Sequence, residues 1–264
     1  MDRGIDLTDV HHQQQSNQDY IYVFSHLYHH QKYAHFSNFY SLCYNNAGDK
    51  MKQIYTEIKN ACENQTKIVV VSKKRSLEEI MDYYNAGVRD FGENRADDLI
   101  QKAEALPKDI NWHFIGHLQR NKVAKVLPYV SLIHSVESKD LLKVLNKEAQ
   151  KLNRTIDVLI QFNLAEENTK TGLSEQDAFD FAGEALSYSH LNVKGIMTMG
   201  PHTEDEQAIE EVFRQAHELQ MKLKEMHGAD HFNELSMGMS SDWKIALRHG
   251  STMLRIGTIL FEER

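Results

Sequence analysis

Eight short apolar segments alternate with segments of helical periodicity between residues 67 and 256, and this alternation constrains the fold more than any other feature. The first segment, 67–72, is a β-branched run typical of a strand buried on both faces. Strands that alternate with helices predict a parallel sheet, and eight is the number that closes a (β/α)₈ barrel. The predicted strands are 67–72, 88–91, 111–115, 130–134, 155–162, 193–199, 233–237 and 252–256. The predicted helices between them are 77–84, 96–105, 121–127, 138–152, 174–188, 203–227 and 242–248.

An open, doubly wound sheet is the alternative to the barrel. A dinucleotide-binding sheet of that kind would have a Gly-x-Gly-x-x-Gly turn after its first strand, and no such turn follows residue 72. We therefore expect an α/β protein with a single (β/α)₈ TIM barrel. Because the chemistry of such barrels lies at the carboxyl ends of the strands, candidate functional residues are sought there.

Residues 1–50 differ in character from the rest of the chain. They hold six of the 15 histidines and show no sustained hydrophobic period. From Met51 onward a helical pattern begins, with Ile54, Ile58 and Cys62 at helical spacing. We predict that residues 51–264 form the barrel domain. Residues 1–50 are then either a poorly ordered appendage or a segment upstream of a true start at Met51.

Composition and charge exclude several classes of protein. Hydrophobic residues make up 41% of the chain and charged residues 26%, as in ordinary globular proteins. The net charge of −8 disfavours nonspecific binding to nucleic acid. No apolar run approaches the roughly 18 residues that cross a bilayer, and the first residues lack the order of a signal peptide. With only Cys43 and Cys62, and with histidine pairs such as His29 and His30 lacking fixed partners, we expect no metal site and a cytoplasmic location.

Lys73 follows the first predicted strand directly. A lysine at the mouth of a barrel can be partly desolvated, which lowers its pKa and frees the amine to form a Schiff base with an aldehyde. An ordinary solvated lysine is the alternative, since Lys74 and Arg75 follow it in a basic turn. Position alone leaves both interpretations open.

The last two predicted strands are followed by segments suited to an anion. Residues 238–242 read Gly-Met-Ser-Ser-Asp, and 250–258 read Gly-Ser-Thr-Met-Leu-Arg-Ile-Gly-Thr. Loops after strands seven and eight are the usual phosphate site of this fold, because glycine admits close backbone approach and hydroxyl groups donate. An aldehyde-binding lysine and a phosphate cradle at one barrel mouth would suit pyridoxal 5′-phosphate (PLP). A Schiff-base aldolase acting on a sugar phosphate is an alternative use of the same groups.

Other polar residues near the strand ends have simpler explanations than catalysis. Glu93, together with Asp97 or Asp98, is interpreted as negative charge at a helix amino terminus. His113 and His117 flank the third strand and are interpreted as core or hydrogen-bonded histidines.

Five motifs closely resemble those of the pyridoxal phosphate homeostasis protein family. They occur in the expected order between about Met51 and the carboxyl terminus and are highly specific together. The motifs are 71–73 (Val-Ser-Lys), 91–94 (Phe-Gly-Glu-Asn), 112–122 (Trp-His-Phe-Ile-Gly-His-Leu-Gln-Arg-Asn-Lys), 238–242 and 250–258. The family is similar to the barrel domain of alanine racemase standing alone, and it is tied to vitamin B6 balance.

The resemblance implies a role for particular residues of this chain. It implies that Lys73 holds PLP as an internal aldimine and that Arg255 faces the pyridine nitrogen of the cofactor. It further implies that three residues hold the phosphate and that Asn94 is a pocket residue. The phosphate residues are Ser240, Gly257 and Thr258.

The resemblance also implies a protein that buffers or delivers PLP without established turnover, with PLP-dependent apo-enzymes as possible recipients. Arginine stays protonated, so a pyridine nitrogen facing Arg255 remains unprotonated and the ring is a poor electron sink. A racemase would need a second base from an additional β domain, for which the chain leaves no room after Thr258. A PLP-dependent amino-acid racemase or lyase is the alternative. A barrel without that second domain is expected to be a monomer.

Overall fold

A closed barrel of eight parallel strands forms the centre of the computed structural model, which describes residues 53–63, 65–165, 172–228 and 230–261. Each strand pairs with the next, and the eighth pairs back with the first. The predicted (β/α)₈ barrel is therefore confirmed. The strands are β1 (Lys67–Val71), β2 (Asp90–Glu93), β3 (Asn111–Phe114), β4 (Val130–Val136), β5 (Ile156–Phe162), β6 (Leu191–Thr198), β7 (Glu234–Ser236) and β8 (Met253–Ile256).

Helices surround the barrel and connect its strands. A 3₁₀ turn at Arg120–Lys122 precedes the helix that begins at Val123. The helices are α1 (53–61), α2 (Leu77–Asn85), α3 (Ala96–Ala105), α4 (Val123–Val126), α5 (Lys139–Lys151), α6 (Ala178–Leu186), α7 (Glu206–His227), α8 (Trp243–Arg248) and α9 (Thr258–Phe261). No helix within these described stretches is both long and apolar enough to cross a membrane.

Several element boundaries differ from the sequence prediction, among them the starts of β2 and α6. Strand β2 begins at Asp90 and not at Val88, because the Val88 N–H donates to the Tyr83 carbonyl and so still caps α2. Helix α6 begins at Ala178 and not at Ser174. The Ser174 hydroxyl donates to the Asp177 carboxylate in a turn, which delays the first helical residue. The short helix α9 was not predicted.

The hydrophobic core has two layers, as expected for a barrel. The larger layer lies between strands and helices, and Ile58 and Cys62 from the first described segment belong to it. The smaller cluster has Val69, Leu132, Leu159, Met197 and Met253 as its buried members, one from each of five strands. Since side chains alternate along a strand, these five residues identify the face that points into the barrel.

The prediction for residues 1–50, including His29, His30 and Cys43, lies outside the described residues. Cys62 is a buried free thiol, and burial raises its pKa.

Candidate functional site

Lys73 lies just beyond the carboxyl end of β1, on the side of the chain that faces the barrel. Val69 belongs to the interior cluster, and the alternation of the strand carries the same face to Val71 and then to Lys73. The side chain of Lys73 is exposed, and among the described residues it has no hydrogen-bond or ion-pair partner. Of the two interpretations that position left open, the structure shows the solvent-exposed lysine. Lys74, with φ of +62°, turns the chain away immediately afterwards.

Ser72, which precedes this lysine, is held from behind by a buried ion pair. Its hydroxyl donates to Glu93 Oε1 at 2.7 Å, and its carbonyl accepts from Lys102 Nζ at 2.7 Å. Lys102 Nζ also lies 2.6 Å from Glu93 Oε1, and Glu93 is fully buried. The interpretation of Glu93 as helix amino-terminal charge was wrong, because its side chain is a partner of Lys102. Asp97 and Asp98 do lie in the first turn of α3.

The loop after β1 is fastened to the end of the chain that follows β8. The Tyr83 hydroxyl on α2 donates to the Leu260 carbonyl at 2.6 Å, and the Arg75 guanidinium lies 4.8 Å from the centre of the Phe261 ring. A capping box between Ser76 and Glu79 fixes the start of α2. The backbone around Lys73 is thus held on both sides.

Gly257 follows β8 and lies against β1. A Cβ atom at this position would be 3.1 Å from Val71 Cβ, so even a methyl group would be crowded. Ser240 belongs to the loop after β7, and its Oγ accepts hydrogen bonds from the N–H groups of Gly257 and Ile259, at 3.3 Å each. Two backbone N–H groups therefore converge on one oxygen, which is the arrangement that an anion needs. Thr258, the first residue of α9, is exposed beside them.

Arg255 is almost fully buried inside the barrel. Its Nη1 donates to Ser236 Oγ at 2.7 Å and its Nη2 to the Thr198 carbonyl at 2.9 Å. Burial lowers the pKa of Arg255 to about 10, against the opposing charge of Asp242. The guanidinium has five N–H donors, of which the described protein groups use these two, so donors remain for an acceptor in the barrel mouth.

Asn94 is exposed at the end of β2. Its backbone carbonyl would lie 2.2 Å from a Cβ on Gly116, so the chains that leave β2 and β3 touch directly. The six residues expected at the site thus follow strands β1, β2, β7 and β8 at one end of the barrel, except that Arg255 points into the barrel from β8 itself. Among the described residues, no hydrogen bond joins the side chain of Asn94 to the other five.

Comparison with known proteins assigns the fold and the family together. Residues 48–264 match the family model described as alanine racemase, N-terminal domain. A pyridoxal phosphate homeostasis protein of Aquifex aeolicus is 37% identical over 226 residues, covering 83% of this chain and 99% of the relative. This chain belongs to the pyridoxal phosphate homeostasis protein family.

Solved structures agree with the family assignment. PipY of Synechococcus elongatus, solved with PLP bound, has a TM-score of 0.74 and 30% identity, covering 80% of this chain and 100% of PipY. A protein from Bifidobacterium adolescentis, described as unknown, has a TM-score of 0.77 and 32% identity, with 82% and 95% of the two chains covered.

Sequence reasoning missed several polar residues that the barrel of this pyridoxal phosphate homeostasis family member brings together. His113 is buried and hydrogen-bonded, as expected, but His134 and Ser236 were not singled out. Two signals in the sequence could have found them. His134 lies two residues after the interior residue Leu132, on the same face of its strand, and Ser236 lies two residues before Gly238. His117 is exposed and lies 2.7 Å from Glu137 Oε1.

Proposed function

We propose that this chain binds PLP through a Schiff base on Lys73 and holds it for storage or delivery in vitamin B6 homeostasis, without turnover. Family membership supports this function, and PipY, at 30% identity, has been solved with PLP bound. The observation that carries the proposal is the pairing of β1 with β8, because it brings an unpartnered lysine and a glycine loop to one rim of the barrel.

Three groups of the site fit three parts of the cofactor. The exposed Lys73 amine is available to an aldehyde. The N–H groups of Gly257 and Ile259 converge as a phosphate requires, and Ser240 and Thr258 add hydroxyl groups beside them. The unused donors of Arg255 suit the pyridine nitrogen, an acceptor. We include Asn94 as a pocket residue, on the strength of its place at the end of β2.

The buried arginine favours holding the cofactor over using it. When bound, PLP supplies an aldehyde carbon and a ring that can accept electrons from a substrate. With a pKa of about 10, Arg255 remains ionised near neutral pH and donates to the ring nitrogen. A guanidinium gives up its proton much less readily than a carboxylic acid, so the nitrogen stays unprotonated and the ring accepts electrons weakly. Arg255 therefore disfavours decarboxylation and transamination.

The setting of the protein completes the proposal. We place residues 51–264 as the PLP-binding barrel domain of a monomeric, cytoplasmic protein, with PLP-dependent apo-enzymes as recipients. The buried free thiol of Cys62 supports a reducing compartment. In the described part of the chain, four large apolar side chains are exposed, which supports a monomer. They are Leu77, Leu152, Met221 and Met226.

Visible absorption before and after borohydride treatment, followed by peptide mapping, tests the function. We expect a band that bleaches and a reduced pyridoxyl group on Lys73, and neither in Lys73→Ala. Lys74→Ala is the matched control, since it removes the neighbouring exposed lysine and should keep the label on Lys73. A wild-type protein that gains no band with added PLP would contradict the proposal. Deuterium exchange at the α-carbon of added amino acids, absent in Lys73→Ala, would instead support a racemase or lyase.

A further inference from the structure

A chain of hydrogen bonds crosses the barrel interior from Arg255 on β8 to the far end of β2. Ser236 Oγ, which accepts from Arg255, lies 3.0 Å from His134 Nδ1. His134 Nε2 lies 2.9 Å from His113 Nδ1, and His113 Nε2 lies 3.0 Å from Asp90 Oδ1. We call the four residues Asp90, His113, His134 and Ser236 the barrel relay. It links four strands, and the step from β4 to β7 spans the interior of the barrel.

The two ends of the barrel relay, together with the neutral form that burial favours in its two histidines, fix the direction of every hydrogen bond in it. A guanidinium can only donate, so Ser236 Oγ accepts from Arg255, and the proton of its own hydroxyl is available to His134 Nδ1. An ionised carboxylate can only accept, so His113 donates to Asp90 from Nε2. The remaining link is satisfied when His134 donates from Nε2 to His113 Nδ1. In this arrangement each neutral imidazole carries its proton on Nε2.

The surroundings of the relay agree with this assignment. Burial lowers the pKa of His113 and lowers that of His134 well below its usual range, the latter with help from the charges of Arg255 and Lys67. Burial alone would raise the pKa of Asp90, but the hydrogen bond from His113 and the nearby charges outweigh it and lower the pKa. The charged groups that face the relay and Arg255 from neighbouring strands and loops are Lys67, Glu234 and Asp242.

We propose that the barrel relay is a positioning device for Arg255, which orients the guanidinium and keeps the cavity around it free of a second cation. The proposal rests on the proposed function in one respect, namely that the guanidinium faces the pyridine nitrogen of the cofactor. Each member of the relay has its protons committed, so the guanidinium has one favourable orientation against Ser236 and the Thr198 carbonyl. Its remaining donors are then presented in a fixed direction.

Side-chain ¹⁵N NMR of the histidines and arginines in the purified full chain tests the relay without the cofactor. At pH 7 we expect neutral His113 and His134, both protonated on Nε2. Ser236→Ala should shift the His134 Nδ1 resonance and mobilise the Arg255 guanidinium. An imidazolium or an Nδ1–H tautomer at either histidine at pH 7 would overturn the proposal.

Absorption titrations with PLP test the effect on the cofactor. Ser236→Ala leaves donors of Arg255 and an acceptor of His134 without partners, so we expect roughly tenfold weaker PLP binding and a displaced absorption band.

Asp90→Asn keeps an acceptor oxygen but removes the negative charge that favours an imidazolium at His113. The acid midpoint of the bound-cofactor spectrum should then fall by about one pH unit or more. Asp109→Asn, which changes an exposed aspartate paired with Arg89, is the matched control and should behave as wild type.

The outcomes separate the relay from the function. If wild type and variants all label at Lys73 but Ser236→Ala and Asp90→Asn keep the wild-type affinity, band and acid midpoint, the relay is overturned and the function stands. If the wild-type protein is not labelled at Lys73, the proposed function is contradicted. The histidine tautomers and the mobility of the Arg255 guanidinium, both measured by NMR, then still test the relay proposal. If Ser236→Ala does not fold, Asp90→Asn still tests the relay, because the substitution conserves the volume of the side chain.

Discussion

Lys102 Nζ lies 2.6 Å from Glu93 Oε1 behind the first two strands, and the same ammonium group donates to the carbonyl of Ser72. The pair is thus attached to the backbone directly before Lys73. Glu93 Oε2 is buried without a protein partner, so Lys102 and the Ser72 hydroxyl carry the stabilisation of this carboxylate. The backbone beside Lys73, the lysine proposed to hold PLP, therefore depends on this buried charge pair.

Breaking this buried pair should be costly. Lys102→Met leaves the Glu93 carboxylate buried without its cation, and we expect the free energy of unfolding to fall by about 3–5 kcal/mol in urea titrations. Combining Glu93→Leu with Lys102→Met should restore most of that loss. Lys122→Met, which breaks the exposed pair with Asp97, should cost about 1 kcal/mol or less. Equal losses in Lys102→Met and Lys122→Met would contradict this prediction.

The buried histidines of the barrel relay should make stability depend on mildly acidic pH. Burial lowers the pKa of His113 and His134 in the folded protein, while a histidine in the unfolded chain titrates near 6.5. Below about pH 6.5 the unfolded chain takes up protons that the folded protein does not. The free energy of unfolding should then fall by up to about 1.4 kcal/mol per pH unit for each histidine, with no such slope above that pH. Urea titrations of the wild-type protein between pH 7.5 and pH 5 measure this slope. In His134→Gln we expect on the order of half the slope, because one of the two buried histidines is removed.

Gly116 should be intolerant of any side chain. A Cβ atom there would lie 2.2 Å from the Asn94 carbonyl oxygen, which is backbone and cannot rotate away. We expect Gly116→Ala to lower the free energy of unfolding by about 3 kcal/mol. Gly183→Ala is the control of opposite sign, because Gly183 is exposed on α6 with its nearest neighbour 3.9 Å away. It should stabilise the protein by about 1 kcal/mol, and a similar loss in both variants would refute the explanation.

Ser240 should matter for the phosphate and not for the ring. Ser240→Ala removes the oxygen that orders the N–H groups of Gly257 and Ile259, so we expect roughly tenfold weaker binding of PLP. Binding of pyridoxal, which has no phosphate, should be unchanged in the same absorption titration. Ser138→Ala, which removes the capping hydroxyl of α5, should affect stability and leave the affinity for both ligands unchanged. An equal loss for both ligands in Ser240→Ala would contradict a phosphate role.

The barrel could be predicted from the sequence because its strands are local patterns. A β-branched run such as Val69–Val71, and the glycines that follow β7 and β8, are visible without any partner. The same reasoning located Lys73 and Gly257, since each follows its strand directly. The start of β2 was misplaced because a backbone hydrogen bond from Val88 to Tyr83, and not the hydrophobic pattern, decides it.

The polar interior could not be predicted in the same way. Ser236 and His134 are 102 residues apart in sequence, and nothing in either neighbourhood specifies the other. Glu93 looked like a helix-start charge because Asp97 and Asp98 follow it, whereas its partner Lys102 lies on the buried face of α3. Pairings of this kind depend on the closed barrel and become visible only when it is built.

The closure of the barrel between β1 and β8 has a consequence for the order in which the proposed site is assembled during translation. Lys73 is translated long before Arg255, Gly257 and Thr258, yet the proposed site needs all four residues. A nascent chain that has emerged only as far as β7 has Lys73 but lacks Arg255, Gly257 and Thr258. Under the proposed function, a chain that stops before β8 would therefore not retain PLP.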